Sequence, residues 1–407
     1  MYRNAMNGSL VPSPVKIQSK RIESIDLLRG VVMIIMALDH VRDYFHYDAF
    51  FYSPTDLSKT NVALFFTRWI THFCAPVFVF LAGTSAYLYG VKHGRRSLSF
   101  FLLTRGIWLI LVELFILGLF RSFNPSFPYY NLQVIFAIGA CMVVLSALVY
   151  LNWQVILVIG ISLIATHNLL DSVHVPGNNL TAFIWSLIHE AKRFSFGNIT
   201  VFVHYPVLPW IGVMATGYCA GRLYEPNYDP QKRREILSWL GLVALAIFII
   251  LRAGNFYGDV AHWAPQKNFM FSVLSFLNVS KYPPSLLYIL ITLGPALIFL
   301  SVSEKPLKKL GTGIVIFGRS AMFYYLAHIL LIHVFALAGV LISGYKLQDM
   351  ILSTSVNDSP NLEGYGFSLV AVYLVWIVLV FILYPLCRSF YRYKAANQAS
   401  KRWLSYL

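Results

Sequence analysis

The feature that most restricts this chain is a succession of apolar runs, each close to the length of helix that crosses a bilayer, about 20 residues. Windows of that size place such runs near 27–45, 64–90, 99–120, 131–150, 153–170, 203–222, 237–252, 285–302, 314–342 and 367–387. In hydrocarbon every backbone N–H and C=O must be satisfied within the segment, so runs of this kind fold as helices. The predicted fold is therefore all-α: a polytopic integral membrane helical bundle of about ten transmembrane helices. A soluble chain of 407 residues would suggest two or three domains. Here 58% of residues are hydrophobic and only 12% charged, against about 25% charged in ordinary soluble domains, which favours one bundle.

A net charge of +15 raises the question of nucleic acid. The basic residues, however, sit in short clusters between apolar runs, so no nucleic-acid partner is expected and the bias reads as topological. Lys16, Lys20 and Arg21, then Lys92, Arg95 and Arg96, then Lys232, Arg233 and Arg234, then Lys305, Lys308 and Lys309, then Arg388, Arg392, Lys394, Lys401 and Arg402 fall on alternate loops. By the positive-inside rule both termini are expected in the cytoplasm. This divides the chain into a cytoplasmic segment 1–26, a transmembrane domain 27–387 and a basic tail 388–407. No cleavable signal pattern is visible, so the first span is expected to stay. Cys74, Cys141, Cys219 and Cys387 lie singly inside apolar runs, a pattern of neither a disulfide frame nor a metal site, and no metal is expected. The long outer loops are 171–202 and 253–284, and "TAFIWSLIHEAKRF" in the first of them reads as an interfacial helix.

The first span, "SIDLLRGVVMIIMALDH", carries charge where charge is costly. Arg29 and His40 are eleven residues apart, within about 20° on one helical face and about 16 Å along the axis. Asp26, Met33, Met36 and Asp43 lie near the same stripe. The helix therefore reads as one wall of a cavity that crosses the membrane. Local pairing of Asp26 with Arg29, and an interhelical hydrogen bond for His40, are the simpler alternatives.

The second span, "FFTRWITHFCAPVFVFLAG", puts Arg68 and His72 on one face at the depth of His40, with Pro76 one turn on. Arg68 has a structural alternative as partner of Asp43 or Asp48. Further along, "FGRSAMFYYLAHILLIH" places Arg319 at the inner end of a span and His328 in its middle. "VHYPVLPWIGVMATGYCAG" opens another with Tyr205 and Trp210 at an aromatic outer mouth. Gly217 and Gly221 form a GxxxG that reads as close helix packing. Glu113, Asn131 and Gln133 are polar intrusions with no specific signal.

Taken as a set, "RIESIDLLRGVVMIIMALDH", "RWITHFCAPVFVFLAG" and "HYPVLPWIGVMATGYCAG" resemble the bacterial branch of the heparan-alpha-glucosaminide N-acetyltransferase catalytic-domain family. The resemblance runs from the first span to the sixth and more loosely to the end. It implies an acyl-CoA-dependent acyltransferase of a bacterial cytoplasmic membrane, with acetyl-CoA as donor and a sugar or glycan as acceptor on the far side. More distant polysaccharide-modifying acyltransferases share a histidine eleven residues after an "LRG"-like arginine, the spacing of Arg29 and His40.

A neutral histidine suits removal of the acceptor's proton. On this reading His40 and His72 are catalytic candidates, with Asp39 or Asp43 holding the imidazole. Arg29, Asp26 and Arg319 form the coenzyme A site, guanidinium forks matching phosphate. Arg68, Asp43, His46, His328, Tyr205 and Trp210 face the acceptor. One departure bears on the base: in the heparan enzyme the position of His40 is an asparagine and the catalytic histidine lies in the first outer loop, where His46 is the nearest here. Direct transfer and an acyl-histidine intermediate both stay open, as does assembly into a homo-oligomer. The rival class is a secondary carrier with an intramembrane proton or substrate path, though paired repeats with matching broken helices are not visible.

Overall fold

The computed structural model describes residues 22–304, 309–397 and 400–405. Lys16, Lys20, Arg21, Lys305 and Lys308, on which part of the charge argument rests, lie outside them, as does most of segment 1–26. In chain order the helices are α1 Glu23–Phe45, α2 Val62–Trp69, α3 Cys74–His93, α4 Arg95–Leu111, α5 Gly118–Ser122, α6 Val134–Leu148, α7 Trp153–Thr166, α8 Leu180–Ile188, α9 Leu208–Ala220, α10 Pro230–Gly254, α11 Phe269–Leu277, α12 Leu286–Val302, α13 Lys309–Arg319, α14 Ala321–Ile342 and α15 Leu369–Asn397.

Each apolar run contains a helix, but six stretches are both long and apolar enough to cross a bilayer: Val62–His93, Arg95–Ser122, Trp153–Leu170, Pro230–Gly254, Ala321–Ile342 and Leu369–Asn397. α6 and α12 are apolar but shorter. α9 has 13 residues, and α1, at 23, carries six charged side chains. The chain is a membrane protein of predominantly helical fold. Large apolar side chains such as Phe100, Ile250 and Phe381 stand outward on α4, α10 and α15, as lipid-facing surfaces require.

Three local features depart from the sequence reading. The run 314–342 is two helices, because the backbone turns at Ser320, whose hydroxyl donates to Cys387 O of α15 at 3.1 Å. The last helix continues to Asn397, past the expected start of the tail at 388. The fold is also not purely α. Strands β1 Tyr129–Leu132, β2 Lys192–Phe196 and β3 Ile199–Val203 form a sheet of order β1-β3-β2, with β1 parallel and β2 antiparallel to β3. The piece read as one interfacial helix ends at Ile188, and its "KRF" begins β2. Alternating Phe194, Phe196, Val201 and Val203 around a turn at Gly197 suit a hairpin, and Phe194 and Val203 bury against Leu132 and Ala182.

α1 is the central helix, packed against α3, α13, α14 and α15. It meets α13 backbone to backbone. A Cβ on Gly318 would lie 1.9 Å from Asp26 O, and one on Gly30 2.2 Å from Ile314 O. The GxxxG of α9 serves the same purpose against α3, since a Cβ on Gly217 would lie 2.1 Å from Phe80 O. Gly318→Val is accordingly expected to separate α1 from α13 and prevent accumulation of folded protein. Gly313→Ala in the same helix, which meets only Tyr384 at 3.8 Å, should be tolerated. Monodispersity of the detergent-extracted variants checks both.

Pro76 lacks an N–H, leaving the His72 carbonyl four residues earlier without its helical donor. Between α2 and α3 the helix tightens to a 3-10 turn over Ile70–Phe73, and Tyr288 of α12 donates its hydroxyl to His72 O at 2.8 Å. The proline thus fixes α3 against α12 beside the site.

Candidate functional site

The two ends of the α1 stripe hold separate polar clusters. At the N-terminal end Asp26 is shared between Arg29 and Arg319, at 3.1 Å from each. Arg29 also donates to Ser85 Oγ at 3.2 Å and Gly318 O at 3.4 Å, and Arg319 to Tyr391 Oη at 3.3 Å. The two arginines named for the coenzyme therefore converge from α1 and α13 on one carboxylate. Glu23 stands at the edge of this cluster, 4.0 Å from Arg319 Nη2.

At the C-terminal end Asp39 lies between two guanidiniums. Arg68 donates Nη1–H to its Oδ2, and Arg42 Nη1 stands 2.9 Å from its Oδ1. Arg42 continues to Asp43 at 2.5 Å, and Arg68 to the Tyr282 hydroxyl at 3.4 Å. The partner of Arg68 is thus Asp39, not Asp43 or Asp48. Both carboxylates expected to orient the imidazole are held by arginines. Among the described residues nothing hydrogen-bonds the His40 ring, which rests against that of His328 with centroids 5.3 Å apart.

His40, Asp39 and Asp43 open onto a cavity of about 510 Å³. Arg68, Thr71 and Cys74 reach it from the second apolar stretch, Tyr205 from the segment before α9, and Lys281 and Tyr282 from that before α12. His328 and Trp210 stand behind this wall. His328 donates its Nδ1–H to Tyr324 O at 3.0 Å, and Trp210 packs behind Tyr205 at 5.6 Å. His72 is buried with its ring 5.5 Å from that of Tyr288, and its Nδ1 has no partner among the described residues. His46 lies just past α1, where burial draws its imidazole below the ordinary range, and it forms no part of the cavity wall.

Several wall residues were not assigned to the site from sequence. Arg121 is a lining cation held by Glu113 at 2.5 Å and by the Tyr325 hydroxyl at 3.3 Å, with Glu113 set on a π-helical turn over Val112–Leu117. Their spacing of eight residues, about two turns, was a readable signal. Arg193, paired with Asp358, lines the opening, and His204 packs on Tyr282 at 3.9 Å. Burial raises the Tyr282 phenol, but Lys281 and Arg68 outweigh it and hold the group below its usual value.

The cavity does not extend along the whole stripe. Its wall ends toward the Arg29 cluster at Met36, Cys74, Phe78 and Ile329, and Met33 beyond them is buried. Between this wall and the Arg29 cluster the α1 stripe carries Met33 and Met36, both buried and unbranched.

The catalytic-domain family described as heparan-alpha-glucosaminide N-acetyltransferase matches residues 21–252, more than half of the chain. The chain belongs to this family. No curated protein matches it. The region matched to the N-acetyltransferase family carries Asp26, Arg29, Asp39, His40, Arg68, Arg121 and Tyr205, while Lys281, Arg319 and His328 lie beyond it.

Proposed function

We propose that the protein is a transmembrane acyltransferase that moves an acyl group, acetyl in the first instance, from acyl-CoA to a sugar or glycan acceptor. The observation that carries this reading is the His40 ring, free of hydrogen bonds among the described residues and facing a cation-rich cavity in a member of an N-acetyltransferase family. The neutral imidazole takes the proton of the acceptor's amine or hydroxyl as its N or O attacks the thioester carbonyl. The C–S bond then breaks, and coenzyme A leaves as the thiol with the proton returned from the imidazolium. Arg68 and the Tyr282 hydroxyl face the developing oxyanion. Asp39 acts indirectly, by fixing Arg68 beside the reacting atoms.

The coenzyme is bound at the Asp26, Arg29 and Arg319 end, taken as cytoplasmic from the distribution of basic residues in a bacterial inner membrane. Its acylated arm reaches His40 past Met33 and Met36, whose unbranched side chains swing aside at low cost. Residues 27–387 form the transferase domain on this reading.

The test is acetyl-CoA binding to the purified protein by calorimetry, with Arg29→Ala alongside. Saturable binding weakened about tenfold or more is expected, the worth of a charge-assisted phosphate contact. Arg319 continues to hold Asp26 in the variant, so its melting temperature should change little. A well-folded wild type that binds no acetyl-CoA would sink the acyltransferase reading in favour of a carrier.

A further inference from the structure

The cations around the cavity can be paired off one by one. Arg42 is held by Asp39 and Asp43, Arg68 by Asp39, Arg121 by Glu113 and Arg193 by Asp358. The fifth, Lys281, has no carboxylate at ion-pair distance among the described residues, and its ammonium lies 5.2 Å from the centre of the Tyr282 ring. The nearby carboxylate of Asp259 is engaged elsewhere. It accepts from Ser280 N and Oγ at 2.8 and 2.6 Å, from Ser285 Oγ at 2.8 Å and from Ala261 N at 2.8 Å. Those bonds fix the backbone on both sides of Lys281, so the unpaired charge is held at the wall before any ligand arrives.

A half-buried cation with no counter-charge costs folding free energy unless something else supplies the charge. We propose that Lys281 is a binding site for an oxyanion, a phosphate or carboxylate carried by the molecule that fills the cavity. A neutral sugar would leave the excess charge uncompensated. The oxyanion comes from one of two sources, an acidic group on the acceptor or a phosphate of the acyl donor. Only that identification rests on the acyltransferase reading, since anion binding at Lys281 is measurable without turnover.

The experiment is calorimetric titration of the purified protein with glucose 6-phosphate, glucuronate, glucose, coenzyme A and acetyl-CoA, on wild type, Lys281→Met and Lys281→Arg. An acidic sugar should bind saturably where glucose does not, about tenfold or more weakly in Lys281→Met, with most affinity kept in Lys281→Arg. If coenzyme A instead of the acidic sugars loses affinity in Lys281→Met, the site holds and its anion belongs to the donor. Binding of acidic sugar without any binding of acetyl-CoA keeps the anion site and removes the acyltransferase reading. The proposal is overturned if folded Lys281→Met binds every probe as wild type does, or if no anionic probe binds more tightly than glucose.

Discussion

His40→Ala is expected to lower acyl transfer by about 10²- to 10⁴-fold, the usual worth of a general base, while acetyl-CoA binding and thermal stability stay near wild type. The reason lies in what the ring does not do. Among the described residues it makes no hydrogen bond, so its removal strands no buried polar partner, and its contact with His328 is a ring packing that an alanine loosens without breaking a network. Release of coenzyme A thiol in the presence of an acceptor extract measures the effect. His72→Ala is the necessary comparison, because His72 also carries an unpartnered ring nitrogen close by, although it lies outside the cavity wall. Should His40→Ala remain active while His72→Ala or His46→Ala does not, the proton acceptor must be reassigned.

What the sequence disclosed and what it concealed follow from the range of the interactions. The α1 stripe is visible because 3.6-residue periodicity acts within one helix, and Asp26 does meet Arg29 as their spacing suggests. The close α3 to α9 approach is visible for a similar reason, since a glycine pair four residues apart leaves one helix face bare. The break at Ser320 is announced only by Gly318 two residues earlier, and it depends on Cys387, 67 residues away, for its hydroxyl partner. The sheet hid behind an apolar loop whose strands pair Tyr129 with Thr200 across 71 residues. Lys281 stood out least of all. A lone lysine in a loop reads as a solvated charge, and only the pairing of every other cation around the same cavity gives it meaning.

Arg68 tests the boundary between holding the site together and acting in it. Its side chain is 14% exposed and that of Asp39 11%, so the pair is largely withdrawn from water. Removing one member of such a pair leaves the other charge poorly compensated, at a cost of about 3–5 kcal/mol. Arg42 still stands 2.9 Å from Asp39, which brings the expectation for Arg68→Met to the lower end of that range. The loss should appear as a marked fall in the melting temperature in detergent. Asp39→Asn combined with Arg68→Met should then recover part of the stability, because the stranded carboxylate has gone. Non-additivity of this kind is the signature of a direct pair. If Arg68→Met melts as wild type does and loses only activity, Asp39 is adequately held by Arg42 alone, and the Arg68 guanidinium serves the substrate without a structural share. If the fall in stability occurs and the double variant recovers it without recovering turnover, Arg68 does both: its pairing with Asp39 fixes the fork beside His40, and the fork in turn faces the reacting carbonyl.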